Sequence, residues 1–322
     1  MLHPNYSEPH VAPSVRDALH LPSLIGSFCL VVAIYLFLVV GSAVAVYQHD
    51  ALTPLTTLAD EIFPFPAASV NGELVPLSRI RAQVATLENY DAQHGQTVTR
   101  KEVQDVVVTQ VVDRALYRQS LATHGIVVSQ ANIDMQMQSI ENQAGGQAKL
   151  VDFLQEQYGP EMTLERFQDW IVADSLQEAA VQSQLLVHAT VSHILISVPA
   201  NATTIQVTTA QQKALQVRAT ITDPTTQFAG AAQEYSDDIA SRSKGGMLGT
   251  TVRGEDISTY SQAFDDAIFT LPLDQVSQPV RSQYGWELVM VTARSGKINQ
   301  SLDQYTAALR QSADLHMFLP AN

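Results

Sequence analysis

The hydrophobic positions of this chain change rhythm twice along its length. Over 21–47, LPSLIGSFCLVVAIYLFLVVGSAVAVY, there is no alternation, and from Pro22 to Tyr47 no position carries a charge. A helix of that length crosses a hydrocarbon core of ~30 Å. The rival reading is a cleaved signal peptide ending near Ala43-Val44-Ala45. The run exceeds the ~7–15 residue apolar core of such peptides, however, and Arg16 is the only Lys or Arg before it. A transmembrane helix over 21–47 is therefore expected. Residues 1–20 would be a short cytoplasmic tail, since Arg16 biases the N-terminal side inward. The bulk of the chain would lie on the extracytoplasmic side of the cell membrane, as a single-pass protein.

Residues 48–66, with Pro54, Pro64 and Pro66, read as a spacer. From 67 to 187 the spacing is helical. Thr99 and Glu102 form a capping-box pattern that opens a helix with Val103, Val107, Val111, Ala115 and Leu116 on one side, ending near Gly125. Further helices are expected over 130–143, 147–158 and 164–187, separated by Gly145-Gly146 and Gly159-Pro160. At 188 the period becomes two: ATVSHILISV reads as a strand. Segments 209–221 and 226–236 read as helices, and 286–293, WELVMVTA, as a closing strand. The order predicts an α+β domain over 188–295. A last amphipathic helix is expected within 296–322, carrying Leu302, Tyr305 and Leu309.

Composition narrows the function. Eighteen Lys and Arg stand against 32 Asp and Glu, a formal charge of −14. That balance argues against a nucleic-acid partner, which would need clustered cations. The single cysteine, Cys29, allows no intramolecular disulfide or cysteine-based zinc site, and the nine histidines are scattered. No metal and no cofactor is expected.

Residues 235–249, YSDDIASRSKGGMLG, hold two adjacent carboxylates beside a glycine turn. A phosphate cradle needs a helix start directly after the glycines, whereas TTVRGED follows here. A calcium loop needs carboxylates at alternate positions. Neither fits. What remains is a carboxylate beside a sharp turn, in a domain whose first strand carries a histidine.

In order, SHILI, FAGAAQEYSDD, S-x-x-x-GGMLG, AFDDAIFTL and VSQPVRSQYGWELVMV resemble the parvulin family of peptidyl-prolyl cis-trans isomerases, over about 190–294. The helical segment before it, with VNGELV and HGIVVSQANID, resembles the chaperone region of exported SurA/PrsA-type foldases. The resemblance implies a small antiparallel sheet with surrounding helices, and a final helix returning to the helical region. It implies a site built from His193, Asp238, Glu287 and Tyr284. Leu248 and Phe264 match the family's proline-pocket positions, and Ile257 and Tyr260 are alternative candidates for a third wall in a loop longer than usual. Glu287 stands where most members have histidine, and a carboxylate cannot reproduce a paired-imidazole network. Asp237 is expected to be a solvated neighbour of Asp238.

Phosphate-selective parvulins carry a basic loop after the first strand, whereas SVPANATTIQVTTAQQK has no basic residue before Lys213. The implied substrates are unfolded or nascent exported polypeptides without phosphate. Two functions follow: a membrane-anchored foldase that isomerises X-Pro bonds, or a chaperone of the same fold whose catalysis is weak or absent. His193, Asp238, Leu248 and Phe264 favour the first, Glu287 the second. The oligomeric state has no signature.

Overall fold

The computed structural model describes residues 65–319. The expected membrane helix, and all of the spacer before Phe65, lie outside the described residues. Among those described, no helix is long and apolar enough to cross a membrane. The described chain forms two units, a small one of 65–68, 74–79 and 317–319, and a main one of 69–73 and 80–316. In the small unit Leu77 donates its N–H to the carbonyl of Phe65, and Phe318 donates to Ala67.

The helical part begins with two short strands, β1 (Pro66–Val70) and β2 (Glu73–Pro76), joined at Asn71 and Gly72, both with positive φ. Helices α1 (Leu77–Gln93), α2 (Arg100–Thr123), α3 (Gln130–Ala144) and α4 (Gln147–Tyr158) follow. The Thr99–Glu102 capping box is formed, and α2 buries the expected stripe from Val103 to Leu116. Gly145 ends α3 in the left-handed region, where a Cβ is unfavourable. Helix α5 (164–185) contains two π turns, Gln168–Val172 and Val181–Leu185. Met137, Leu150, Leu154, Met162 and Val172 make one core here.

Strand β3 (His188–Ser197) opens the α+β part. After it come α6 (Thr204–Thr220), α7 (Pro224–Tyr235), the single turn α8 (Ile239–Arg242), β4 (Met247–Val252), α9 (Gln262–Thr270), β5 (Val280–Arg281) and β6 (Gly285–Ser295). The four strands form an antiparallel sheet in the order β4-β3-β6-β5. Ile194, Ile196, Leu288 and Met290 pack on one face with Ala214, Val217 and Phe228 of α6 and α7. Ala189, Val191, Val289 and Val291 pack on the other with Phe264, Ile268 and Phe269 of α9. By alternation, His193 and Glu287 belong to the α9 face. The two strands β4 and β5 add to the order read from the pattern.

The chain ends in α10 (Leu302–Ser312) and β7 (Leu315–Met317). Tyr305 of α10 is buried with Tyr117 and Leu121 of α2 and with Val181 and Leu185 of α5. Its hydroxyl bonds Ser120, Thr306 bonds the Tyr117 hydroxyl, and Arg310 grips Asp113 with two nitrogens.

Candidate active site

Strand β3 delivers His193 to the interior with about 1% of its surface exposed, and β6 delivers Glu287 with none. Leu195 lies opposite Glu287 and His193 opposite Val289, so the two side chains stand diagonally on one face. The His193 Nδ1 is 3.0 Å from Oε2 of Glu287. The other nitrogen, Nε2, is 3.0 Å from Oδ2 of Asp238 and 2.9 Å from Oγ of Ser241.

Asp238 is held by its own turn. It caps α8, accepting from the N–H groups of Ala240 at 3.2 Å and Ser241 at 3.1 Å, and from the Ser241 hydroxyl. Ser236 Oγ accepts the amides of Asp238 and, across from β3, Leu195. Asp237 points elsewhere: its carboxylate takes the amide and hydroxyl of Ser197 at 2.8 and 2.9 Å. Behind Glu287, Ser282 donates to Oε1 at 2.8 Å and accepts the amides of Tyr284 and Gly285.

An aromatic wall closes one side. Tyr260 and Phe264 stack with centroids 4.2 Å apart. Both meet the His193 ring edge-on, at 5.9 and 6.4 Å, and Tyr284 meets Tyr260 edge-on at 5.8 Å. Phe264 is fully buried, whereas Tyr284 is 45% exposed at the β5–β6 hairpin.

The electrostatics follow from this packing. Burial pulls the His193 ring toward neutrality, but the hydrogen bonds and charges of Glu287 and then Asp238 outweigh it, and the net direction is upward. For Asp238, burial pulls upward, while the bonds from Ser241, His193 and Ala240 outweigh it and hold the carboxyl below its ordinary range. Burial, reinforced by the carboxylates of Glu287, Asp256 and Asp238, pushes the Tyr260 phenol up to about 12, so it stays protonated.

Six of the eight residues picked from the sequence thus share one set of contacts: His193, Asp238, Glu287, Tyr260, Phe264 and Tyr284. Leu248 sits where β4 bulges against β3, between Met247, paired with Ser192, and Gly249, paired with Val191. It is 37% exposed, and Ile257, in the 253–261 loop, is 39% exposed; neither joins the ring cluster. Ser241 and Ser282 escaped the sequence reading. For Ser241 a signal existed, because Asp238 and Ser241 have the spacing of a helix cap and its third residue. For Ser282, two residues before an exposed tyrosine, none did. Among the described residues no group of three or more His, Cys, Asp or Glu is arranged to hold a metal ion.

A buried histidine spanned by carboxylates, beside an aromatic wall on a four-stranded antiparallel sheet, sits within residues 193–293, which match the family model of the Rotamase or PPIC-type PPIase domain. This segment is a parvulin-type peptidyl-prolyl cis-trans isomerase domain, and similarity to Chaperone SurA extends into the helices before it. Among curated proteins, Chaperone SurA of Alkalilimnicola ehrlichii is 28% identical over 244 residues, covering 69% of this chain and 55% of that protein. Chaperone SurA of Photorhabdus laumondii is 43% identical over 82 residues, 26% of this chain and 18% of that protein. The chain thus spans about half, or less, of these relatives. Among solved structures, PrsA from Bacillus subtilis is 23% identical, covering 66% of this chain and 75% of that one, with a TM-score of 0.26.

Proposed function

We propose that the chain is a membrane-anchored extracytoplasmic foldase that isomerises X-Pro bonds in unphosphorylated, exported polypeptides. The observation that carries this is the half-buried Asp238 carboxylate, fixed by four hydrogen-bond donors at the edge of the Tyr260–Phe264–Tyr284 wall. Amide resonance sets a barrier of ~18–20 kcal/mol to rotation about the peptide bond. The transition state has a twisted amide, with a pyramidal nitrogen and a carbonyl that has lost conjugation. A catalyst needs to favour that shape over either planar one. Tyr260 and Tyr284, with the buried Phe264 stacked behind Tyr260, offer an aromatic surface for the proline ring. Asp238 supplies a fixed negative charge beside the rotating carbonyl, which disfavours the charge-separated planar form. His193 and Glu287 hold that charge in place. No covalent bond is made or broken.

The segment without basic residues between Ser197 and Lys213 supports an unphosphorylated substrate. The charge-free run from Pro22 to Tyr47 supports the anchor, and the relatives named as chaperones support unfolded clients. A second reading, a holdase with the same pocket, is favoured by Glu287 in place of the usual histidine.

The test is proline isomerisation in an unphosphorylated X-Pro peptide, using the full-length chain beside Asp238→Ala and Glu287→His. Acceleration should fall on the order of 10²-fold in Asp238→Ala, the low end for removal of a preorganised polar group. No acceleration by the parent chain, with suppression of aggregation intact, would leave the holdase reading. Restoration by Glu287→His would then name the lost histidine as the cause.

A further inference from the structure

The hydrogen bonds around His193 restrict where its protons can be. On the Nε2 side, Asp238 accepts from Ala240, from the Ser241 amide and from the Ser241 hydroxyl. The Ser241 proton is thereby spent on Asp238, so its Oγ turns a lone pair to Nε2 at 2.9 Å. Nε2 faces two acceptors and must carry a hydrogen. On the Nδ1 side, Ser282 has both lone pairs engaged by the amides of Tyr284 and Gly285, so its own proton goes to Oε1 of Glu287. One proton then remains to be placed on the 3.0 Å line between Oε2 and Nδ1. The ionised Asp238 across the ring draws it to the nitrogen.

We propose that Glu287 is a positioning residue that holds His193 as the imidazolium, making the site a carboxylate–imidazolium–carboxylate row in place of a neutral imidazole network. The groups facing the ring agree. They are Asp238 and Ser241 from α8, Glu287 from β6, and Tyr260 and Asp256 from the 253–261 loop, with Tyr284 behind Tyr260. Asp238 and Glu287 are carboxylates in direct contact with the ring and favour a cation, whereas burial pushes the Asp256 carboxyl up, toward its neutral acid, and the Tyr260 phenol stays protonated. The row has a consequence for Asp238. While the ring is charged, the carboxylate beside the substrate is stabilised as an anion. When the ring loses its proton, two carboxylates face a neutral ring and the anion loses its partner. The kinetic consequence, though not the ionisation itself, rests on the isomerase reading.

The experiment is ring-nitrogen NMR of the full-length chain carrying ¹⁵N-histidine, with His193 assigned by its loss in His193→Gln. In the parent chain both His193 nitrogens should be protonated at neutral pH, with titration above the ordinary ~6.5. In Glu287→Gln the midpoint should drop to that value or below it. The alkaline limb of kcat/KM should move to lower pH in the same variant. A neutral His193 ring in the parent chain at neutral pH overturns the proposal, and that spectrum needs no variant to fold. An unmoved titration in a folded Glu287→Gln overturns it as well. A His193 cation that collapses in Glu287→Gln, in a chain that never accelerates isomerisation, upholds the proposal and sinks the isomerase reading instead.

Discussion

The carbonyl oxygen of Gly246 accepts the amide proton of His193 at 2.8 Å, and a Cβ on Gly246 would stand only 2.2 Å from the carbonyl oxygen of His193. Two backbones approach here more closely than any side chain allows, and Gly246 also has φ of 80°. The glycine turn after the Asp237–Asp238 pair therefore serves the histidine: it lets β4 close on β3 at the residue that anchors the site.

Gly246→Ala should accordingly destabilise the α+β part by roughly 2–4 kcal/mol, combining backbone strain with a steric overlap that no rotamer relieves. Urea unfolding followed by Trp286 fluorescence, in a Trp170→Phe background, reads the loss. An unchanged midpoint would mean that the strands separate there at little cost.

The paired ionisations predict a pH window for stability. The folded-state value of His193 is raised, so its contribution is fully present below the unfolded value of ~6.5 and is lost as pH rises through the folded value. The folded-state value of Asp238 is lowered, so its contribution is present above ~3.9 and is lost as pH falls through the folded value. The combined contribution is greatest between those two unfolded values. Asp238→Asn should weaken the acid limb and start the alkaline limb at lower pH, because the His193 ring loses one of its two carboxylates. Urea midpoints across the pH range check this, and superimposable profiles for parent and variant would refute it.

How far the sequence could be read depended on whether a feature is local. The capping box at Thr99, the glycine end of α3 and the long alternation of β3 are each set within a few residues, and each was legible. Strand β4 was not: glycines with positive φ at Gly245, Gly246 and Gly249 and a bulge at Leu248 break the period-two pattern that marks a strand. The π turns in α5 leave the helical spacing shifted without a signature residue. In the site, the motif order picked out His193, Asp238 and Glu287. Whether Glu287 faces the interior was not legible, since alternation ties it to Val289 and Val291 without saying which face those occupy. Packing of α9 against that face decides it. Ser282 meets Glu287 only because the β5–β6 hairpin folds back, a relationship no spacing rule contains.

The C-terminal helix gives the remaining prediction. Tyr305 reaches Ser120 and Thr306 reaches Tyr117, so two buried hydroxyl pairs join α10 to α2. Such pairs contribute modestly when complete and cost more when half-removed, because the surviving partner is left buried without a bond. Tyr305→Phe should strand the Ser120 hydroxyl and destabilise the helical part by about 1–3 kcal/mol. The double variant Tyr305→Phe with Ser120→Ala should recover part of that loss, a coupling that a double-mutant cycle isolates. Neither change touches the residues around His193, so isomerisation of a short X-Pro peptide should be unaffected while the folded state persists. Additive losses in the cycle would show that the ring's packing, and not the hydroxyl pair, holds α10 in place.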